Sequence, residues 1–285
     1  MGLLHWGIAM QTLLIIDGSA LLFQSFYGMP NKIRNTNGQS VEAVVCFTGI
    51  LLKTLRALSP DRLLVVFDGE NPLLRREIDP EYKANRTLPE DDSPFEQLPF
   101  IQSVLTHLGF AWKETTDSEA DDFIARTVRQ YKDEYRIVIS SPDKDFYQLI
   151  SDTVCVYTYR GKVSQLWTRE AILEKYGFSA EYFSTLKALS GDASDNVKGI
   201  RGIGVKTAAN LIARFGDLNN IYAHLQDVSE RTKKLLEENK ALAYKNFSLV
   251  DLSTQTAPVD LPSLAYSLPD RSSTEILKEL HILQT

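Results

Sequence analysis

Three apolar runs frame the chain. Leu13 to Asp17 (LLIID), Arg62 to Asp68 (RLLVVFD) and Arg136 to Ser141 (RIVISS) are short and uninterrupted. A strand with one wet face alternates apolar and polar residues; one covered on both faces is apolar throughout, as in a parallel sheet between helices. Between the first two runs, Val41 to Leu58 has a helical pattern closed by Ser59-Pro60, and Glu119 to Lys132 reads as a helix ahead of the third run. Strand, helix, strand in succession predicts an α/β domain with a mostly parallel central sheet flanked by helices.

After about Thr168 the strand pattern fades. The rest reads as helical to Tyr244, then as a proline-containing tail with a last short helix at Thr274 to His281. The expected division is a leader over 1–11, an α/β core over 12–168 and a helical domain over 169–285. Asp79 to Phe100 carries prolines, an acidic run and scattered aromatics. It predicts a mobile loop or broken helix projecting from the sheet, an arch over about 79–105. Met10 is read as the native start, because the first strand begins only at Leu13.

Composition narrows the class. With 44% hydrophobic and 24% charged residues, the 285-residue chain has ordinary globular make-up and suits one large domain or two moderate ones. Its apolar runs are too short to span a bilayer. The first basic residue is Lys32, so a secretory signal with a charged leading region is not expected. Cys46 and Cys155 show no pairing pattern and read as reduced thiols in the cytoplasm. No apolar stripe demands a partner, so a monomer is expected. A net charge of −6 argues mildly against nonspecific nucleic-acid binding. It argues less if many acids are gathered in one pocket to hold cations.

The acids are in fact patterned. Asp17, Asp68, Asp143 and Asp145 lie at or just beyond strand C-termini, the edge where open α/β sheets bind ligands. Glu119, Asp121 and Asp122 (EADD) open a helix, on which Glu119 and Asp122 share a face. Asp143 and Asp145 point the same way if the chain there is extended. Asp192 and Asp195 (DASD) are expected to share a helical face. Any single aspartate here is equally well a cap or turn residue. Capping does not, however, direct three strand ends and two helices toward one edge. Hard oxygen ligands in this number suit Mg²⁺ or Mn²⁺, and two such ions can drive an in-line displacement at a phosphate.

Basic residues follow. From Lys198 to Arg214 there are no acids, and GIRGIG places Gly199, Gly202 and Gly204 in a turn between helices, with Arg201 and Lys206 beside them. Such a turn can bind phosphates through exposed N–H groups without reading sequence, or can serve packing alone. The P-loop pattern is not matched. Arg75, Arg76, Tyr82, Lys83 and Arg86 form a second basic and aromatic group at the base of the projecting segment. They could neutralise a scissile phosphate and stack on a base, or form a solvated loop balanced by Glu77, Asp79 and Glu81.

Five segments in order, IIDGSALLFQSFYG, VVFDGENPLLRREIDPEYKANR, EADDFIARTV, SSPDKDFYQLISD and LSGDASDNVKGIRGIGVKTAANLI, resemble the bacterial 5′ nuclease family. That family includes the 5′→3′ exonuclease domain of DNA polymerase I, stand-alone 5′ exonucleases and, more distantly, flap endonucleases. The likeness runs from about Thr12 to the C-terminus and thins after about Asp251. It implies a resolvase-like (PIN-like) nuclease core, a C-terminal helical domain with a helix–three-turn–helix over about 186–215, and metal-dependent cleavage of DNA with 5′ ends, flaps or junctions. It implies metal roles for Asp17, Asp68, Glu119, Asp121, Asp122, Asp143, Asp145, Asp192 and Asp195, the last two at the second of two Mg²⁺ or Mn²⁺ sites. Asp68, Asp143, Lys83 and Arg86 are the implied catalytic set. Arg75, Lys83 and Arg86 would contact the reacting phosphate, Tyr82 would stack on a base, and the hairpin would bind duplex backbone. It also implies K⁺ held by the carbonyls of Leu189, Ser190, Lys198, Ile200 and Ile203. Two departures are Leu74, where an aromatic is usual, and Pro142, which restricts the turn placing Asp143.

Two other readings fit the same residues. One is a structure-specific DNA-binding module without hydrolysis, which missing metal acids would favour; none is missing. The other is an RNA-directed nuclease of a related α/β class, against which the duplex-suited hairpin argues.

Overall fold

The computed structural model describes residues 10–69, 74–85, 93–116, 118–253 and 256–284. One sheet contains β1 (Thr12–Asp17), β2 (Arg62–Phe67), β3 (Trp112–Glu114), β4 (Arg136–Ser140), β5 (Val154–Thr158) and β6 (Gln165–Trp167). Their order is β3-β2-β1-β4-β5-β6, and every pairing is parallel except β5 with β6. The three strands legible as apolar runs are its centre. The edge strands β3 and β6 are short and only partly buried, which is why they carry no such run.

The first helices are α1 (Gly18–Gly28), α2 (Glu42–Leu58), α3 (Leu74–Ile78), α4 (Leu98–His107), α5 (Ala120–Tyr131) and α6 (Arg169–Tyr176). Alternate residues of each central strand serve different cores. Leu14, Ile16, Leu63, Val65 and Phe67 pack with Leu22, Phe47, Leu51 and Leu105 from α1, α2 and α4. Leu13, Ile15, Leu64 and Val66 pack on the other face with Ile124 of α5. Both faces are covered, so the strands lack polar alternation. The expected arch ends earlier than 105. Ile101, Val104 and Leu105 of α4 are buried, so the chain is already on the core there.

The helical half contains α7 (Phe183–Ser190), α8 (Val205–Phe215), α9 (Leu218–Ala223), α10 (Glu230–Glu238) and α11 (Lys240–Val250). Between α7 and α8, a two-stranded ladder joins β7 (Gly191–Asp192) to β8 (Val197–Lys198). The tail then returns to the α/β half. Gln130 donates to the Val259 carbonyl at 3.2 Å and accepts from its N–H at 2.8 Å. Leu63 N–H donates to the Leu264 carbonyl at 3.1 Å. The final helix, α12 (Ser273–Glu279), packs on α2 and buries Ile276 and Leu277. Among the described residues no helix is long and apolar enough to cross a membrane.

Candidate metal centre

β1 and β4 are neighbours at the point where the strand order reverses, so a crevice opens beyond their C-terminal ends. Asp17 closes β1 and caps α1, accepting the Ala20 N–H at 2.9 Å; its second oxygen accepts the Ser141 hydroxyl at 2.8 Å. The Ser141 oxygen in turn accepts the Asp143 N–H at 3.0 Å, so Pro142 leaves this turn intact. Asp68 accepts the Ala120 N–H at 2.7 Å, capping α5 from another part of the chain. The cap reading is therefore correct for Asp17 and Asp68, and it holds each carboxylate at the crevice.

Burial pushes the Asp17 carboxyl up to about 7, against the Ala20 hydrogen bond and with help from the charges of Asp68 and Asp143. Burial likewise raises Asp121, where Lys83 opposes and Asp143, Asp17 and Asp68 add to the rise. Asp17 and Asp121 thus each feel the charges of Asp68 and Asp143. Carboxylates arranged this way call for a cation between them.

A second group lies beside it. Asp145, Asp192 and Asp195 each offer a carboxylate oxygen, all within 4.8 Å of one another. This hard oxygen set fits Mg²⁺ or Mn²⁺. Two local expectations are corrected. Asp143 and Asp145 are not on an extended segment: Asp143 caps a 3-10 turn over Lys144–Leu149 and accepts the Asp145 N–H. Asp192 and Asp195 do not share a helical face, since Asp192 ends β7 and Asp195 lies in the turn before β8. The turn brings their carboxylates together instead. Lys187, not singled out from sequence, ion-pairs with Asp145 and reaches Asp192 at 2.5 Å. Burial would raise the Asp192 carboxyl, but Lys187 and Ser194 bring it below the ordinary carboxylate value.

Glu119 and Asp122 are held by basic side chains, and the Tyr82 hydroxyl lies between Glu119 (3.4 Å) and Asp195 (3.1 Å). Glu119 and Asp122 do share a face of α5, and Arg75 sits across it. Arg75 Nη1 lies 2.6 Å from Glu119, Nη2 lies 2.6 Å from Asp122, and Nε donates to the Leu249 carbonyl at 2.8 Å. Arg75 is 7% exposed, so it is engaged with protein rather than presented to a phosphate. Tyr82 likewise offers no open ring for a base. It is 4% exposed, packs with Val197, Leu249 and Val250, and has Lys83 Nζ 5.0 Å from its ring centroid. A buried phenol needs a partner for its hydroxyl, which donates to Asp195 at 3.1 Å. Lys83 has a left-handed backbone at φ 55°, its N–H donates to the Asp195 carbonyl, and its Nζ lies 2.9 Å from Glu119. Arg86 lies outside the described residues.

The glycine turn is shaped by close approach. A Cβ on Gly199 would lie 2.2 Å from the Ser190 carbonyl, and one on Gly191 would lie 2.3 Å from the Gly199 nitrogen. Only glycines let β7 and β8 cross at this distance. Gly204 has nothing within 4 Å of a would-be Cβ and starts α8 without a side-chain cap. Arg201 and Lys206 are exposed beside it. Of the carbonyls read as a monovalent-cation set, Leu189 accepts the Ile200 N–H and Ile200 accepts the Ile203 N–H, each at 2.9 Å. Lys198 accepts from Asn246 at 2.9 Å, and Ser190 closes α7.

The comparisons with known proteins agree with this geometry. The description 5′-3′ exonuclease, N-terminal resolvase-like domain, matches residues 12–177; 5′-3′ exonuclease, C-terminal SAM fold, matches residues 178–272. The chain belongs to the 5′-3′ exonuclease family. It is 31% identical to a 5′-3′ exonuclease of Aquifex aeolicus, covering 95% of this chain and 96% of that protein. It is 37% identical to DNA polymerase I of Mycobacterium tuberculosis over 86% of this chain, but spans only 27% of that protein's length. Among solved structures it is similar to the bacteriophage T5 flap endonuclease in a pseudo-enzyme–product complex with DNA and metal ions. The TM-score is 0.72 and identity 26%, covering 86% of this chain and 90% of that one. The family's fold, a mostly parallel resolvase-like sheet with a helical SAM-like second half, is the one seen here.

Ser141 and Lys187 were not legible as site residues. Ser141 looks like the end of a strand, and Lys187 like one more solvated helix lysine. Their only signal is position, directly before PDKD and one turn before DASD.

Proposed function

We propose that this chain hydrolyses phosphodiester bonds in DNA with 5′ ends or flaps, as an exonuclease or flap endonuclease with two Mg²⁺ or Mn²⁺ ions. The observation that carries the reading is the gathering of two carboxylate groups at one sheet edge, beside Lys83 and an uncapped helix start. Asp17, Asp68, Asp121 and Asp143 would hold one ion, and Asp145, Asp192 and Asp195 the other, with Asp143 and Asp145 near both. Bound there, the ions would supply an activated water and neutralise charge on the scissile phosphate. Lys83 would act electrostatically on the same phosphate, joined by Arg86. Glu119 and Asp122, which hold Lys83 and Arg75, would complete the first site with Asp121, some of them through water.

No protein nucleophile is required, and His107, His224 and His281 lie away from these acids in sequence. The hairpin, with Gly202, Gly204 and Lys206 at the start of α8, would grip duplex backbone. K⁺ at the Leu189, Ser190, Lys198, Ile200 and Ile203 carbonyls would strengthen that grip. The reading also covers a monomer acting in the cytoplasm on primers and flaps during replication and repair. It draws support from the matching family domains and from the T5 flap endonuclease, whose structure holds DNA and metal ions.

The test is a 5′-labelled flap duplex incubated with and without Mg²⁺, with products sized. Cleavage at the junction marks endonuclease action and stepwise mononucleotides mark exonuclease action. Binding with no metal-dependent product would leave a DNA-binding module in its place.

A further inference from the structure

α11 carries none of the residues discussed for chemistry, yet it bonds to the flanks of the hairpin, to Arg75 and to Gln148 beside the Asp145 turn. Asn246 is 1% exposed, and its amide nitrogen donates to the Ala188 carbonyl at 3.0 Å and the Lys198 carbonyl at 2.9 Å. One carbonyl belongs to α7 and the other to β8, so one side chain ties both flanks of the hairpin to α11. Leu249 and Val250 follow on the same face. The Leu249 carbonyl accepts from Arg75 at 2.8 Å, and Arg75 holds Glu119 and Asp122. The Val250 carbonyl accepts from Gln148 at 3.0 Å, and the same Gln148 nitrogen donates to the Asp145 carbonyl at 2.9 Å. Gln148 also accepts the Leu252 N–H at 3.0 Å. On the outer side, Lys245 pairs with Asp79 at 2.7 Å.

We propose that α11 couples the hairpin to the acidic centre, with Asn246 as the positioning residue at the hairpin end and Gln148 at the acid end. The inference rests on the reading that the hairpin grips duplex DNA. The links are directional, two of them buried and the Gln148 ones part-buried, and a carbonyl shielded from water that loses its donor is costly. A shift of the hairpin on DNA therefore carries α11 with it, and α11 carries the Asp145 turn and Arg75. Coupling of this kind is reciprocal: a duplex on the hairpin tightens divalent-cation uptake by the same factor that the cation tightens duplex binding.

The experiment measures Mn²⁺ affinity by calorimetry with and without a covalently closed DNA dumbbell, which offers duplex but no 5′ end. Wild type, Asn246→Leu and Gln148→Met are compared, with thermal melting confirming that each is folded. In wild type the dumbbell tightens Mn²⁺ binding by about tenfold, within the usual range for linked sites. Asn246→Leu weakens dumbbell binding and brings the enhancement close to one. Gln148→Met, which leaves the hairpin untouched, keeps cation-free dumbbell affinity at the wild-type level yet also loses the enhancement. A merely structural role would not separate these two quantities. If Asn246→Leu fails to fold, Gln148→Met decides alone. A wild-type enhancement in Gln148→Met, or none in wild type that binds the dumbbell, overturns the coupling. A wild type that does not bind the dumbbell overturns the hairpin reading itself.

Discussion

Arg75 is the residue on which most interactions of the site converge, and its surroundings raise its affinity for the proton despite burial. Glu119 and Asp122 face it in a nearly dry setting, where removing one partner leaves the other charge uncompensated. Arg75→Ala is expected to destabilise the protein by about 3–5 kcal/mol, read from the denaturant midpoint. A near-neutral result would mean that water reaches the pair. Lys83 tells the opposite story. Its backbone is held in a left-handed conformation beside Asp195, with Nζ 2.9 Å from Glu119. Lys83→Ala is expected to lower turnover about a hundredfold, in the range of a lost electrostatic donor, with little change in duplex affinity. Equal losses in both would reduce Lys83 to a binding role.

Two elements carry weight that their length conceals. The β7–β8 ladder is held by a backbone crossing at Gly191 and Gly199, and Gly199→Ala would drive a methyl into the Ser190 carbonyl. Duplex affinity should fall at least about tenfold (about 1.4 kcal/mol), measured by anisotropy, with the sheet core still folded by circular dichroism. α12 is the second. Leu277 is fully buried against α2, so Leu277→Ala should cost about 2–5 kcal/mol in a melting experiment. An unchanged melting temperature would mean that the tail does not brace the α/β half. These two elements also show where pattern reading stops. α12 was legible from its apolar spacing. The ladder was not, because two-residue strands have no period and Asp192 to Asn196 reads equally well as a helical turn.

At the scale of the molecule, the acids couple folding to pH and to cations. Asp17 titrates at about 7 in the folded chain against 3.8 for the ordinary carboxyl. Between those values the folded state binds more protons than the unfolded one, so stability of the metal-free protein falls as pH rises through that window. A divalent cation needs the charged form and displaces the proton, so its effect runs the other way. Mn²⁺ is expected to raise the melting temperature clearly at about pH 8 and only slightly at about pH 6. Equal shifts at both would show that Asp17 is already charged without the ion.

What the chain's order of residues determined by itself was the central sheet and the candidate chemistry. Short apolar runs alternating with helical patterns fit strands covered on both faces, and aspartates at the C-terminal ends of parallel strands fall at one sheet edge. Tertiary structure alone decided how those acids divide. Arg75 takes Glu119 and Asp122 because α3 and α11 bring a guanidinium across α5. Lys187 and the turn after β7 gather Asp145, Asp192 and Asp195 from positions far apart in the chain. Partner choice among charges depends on distance and dielectric, and neither is written in local pattern. The same holds for Asn246, whose role exists only because α11 packs against the hairpin.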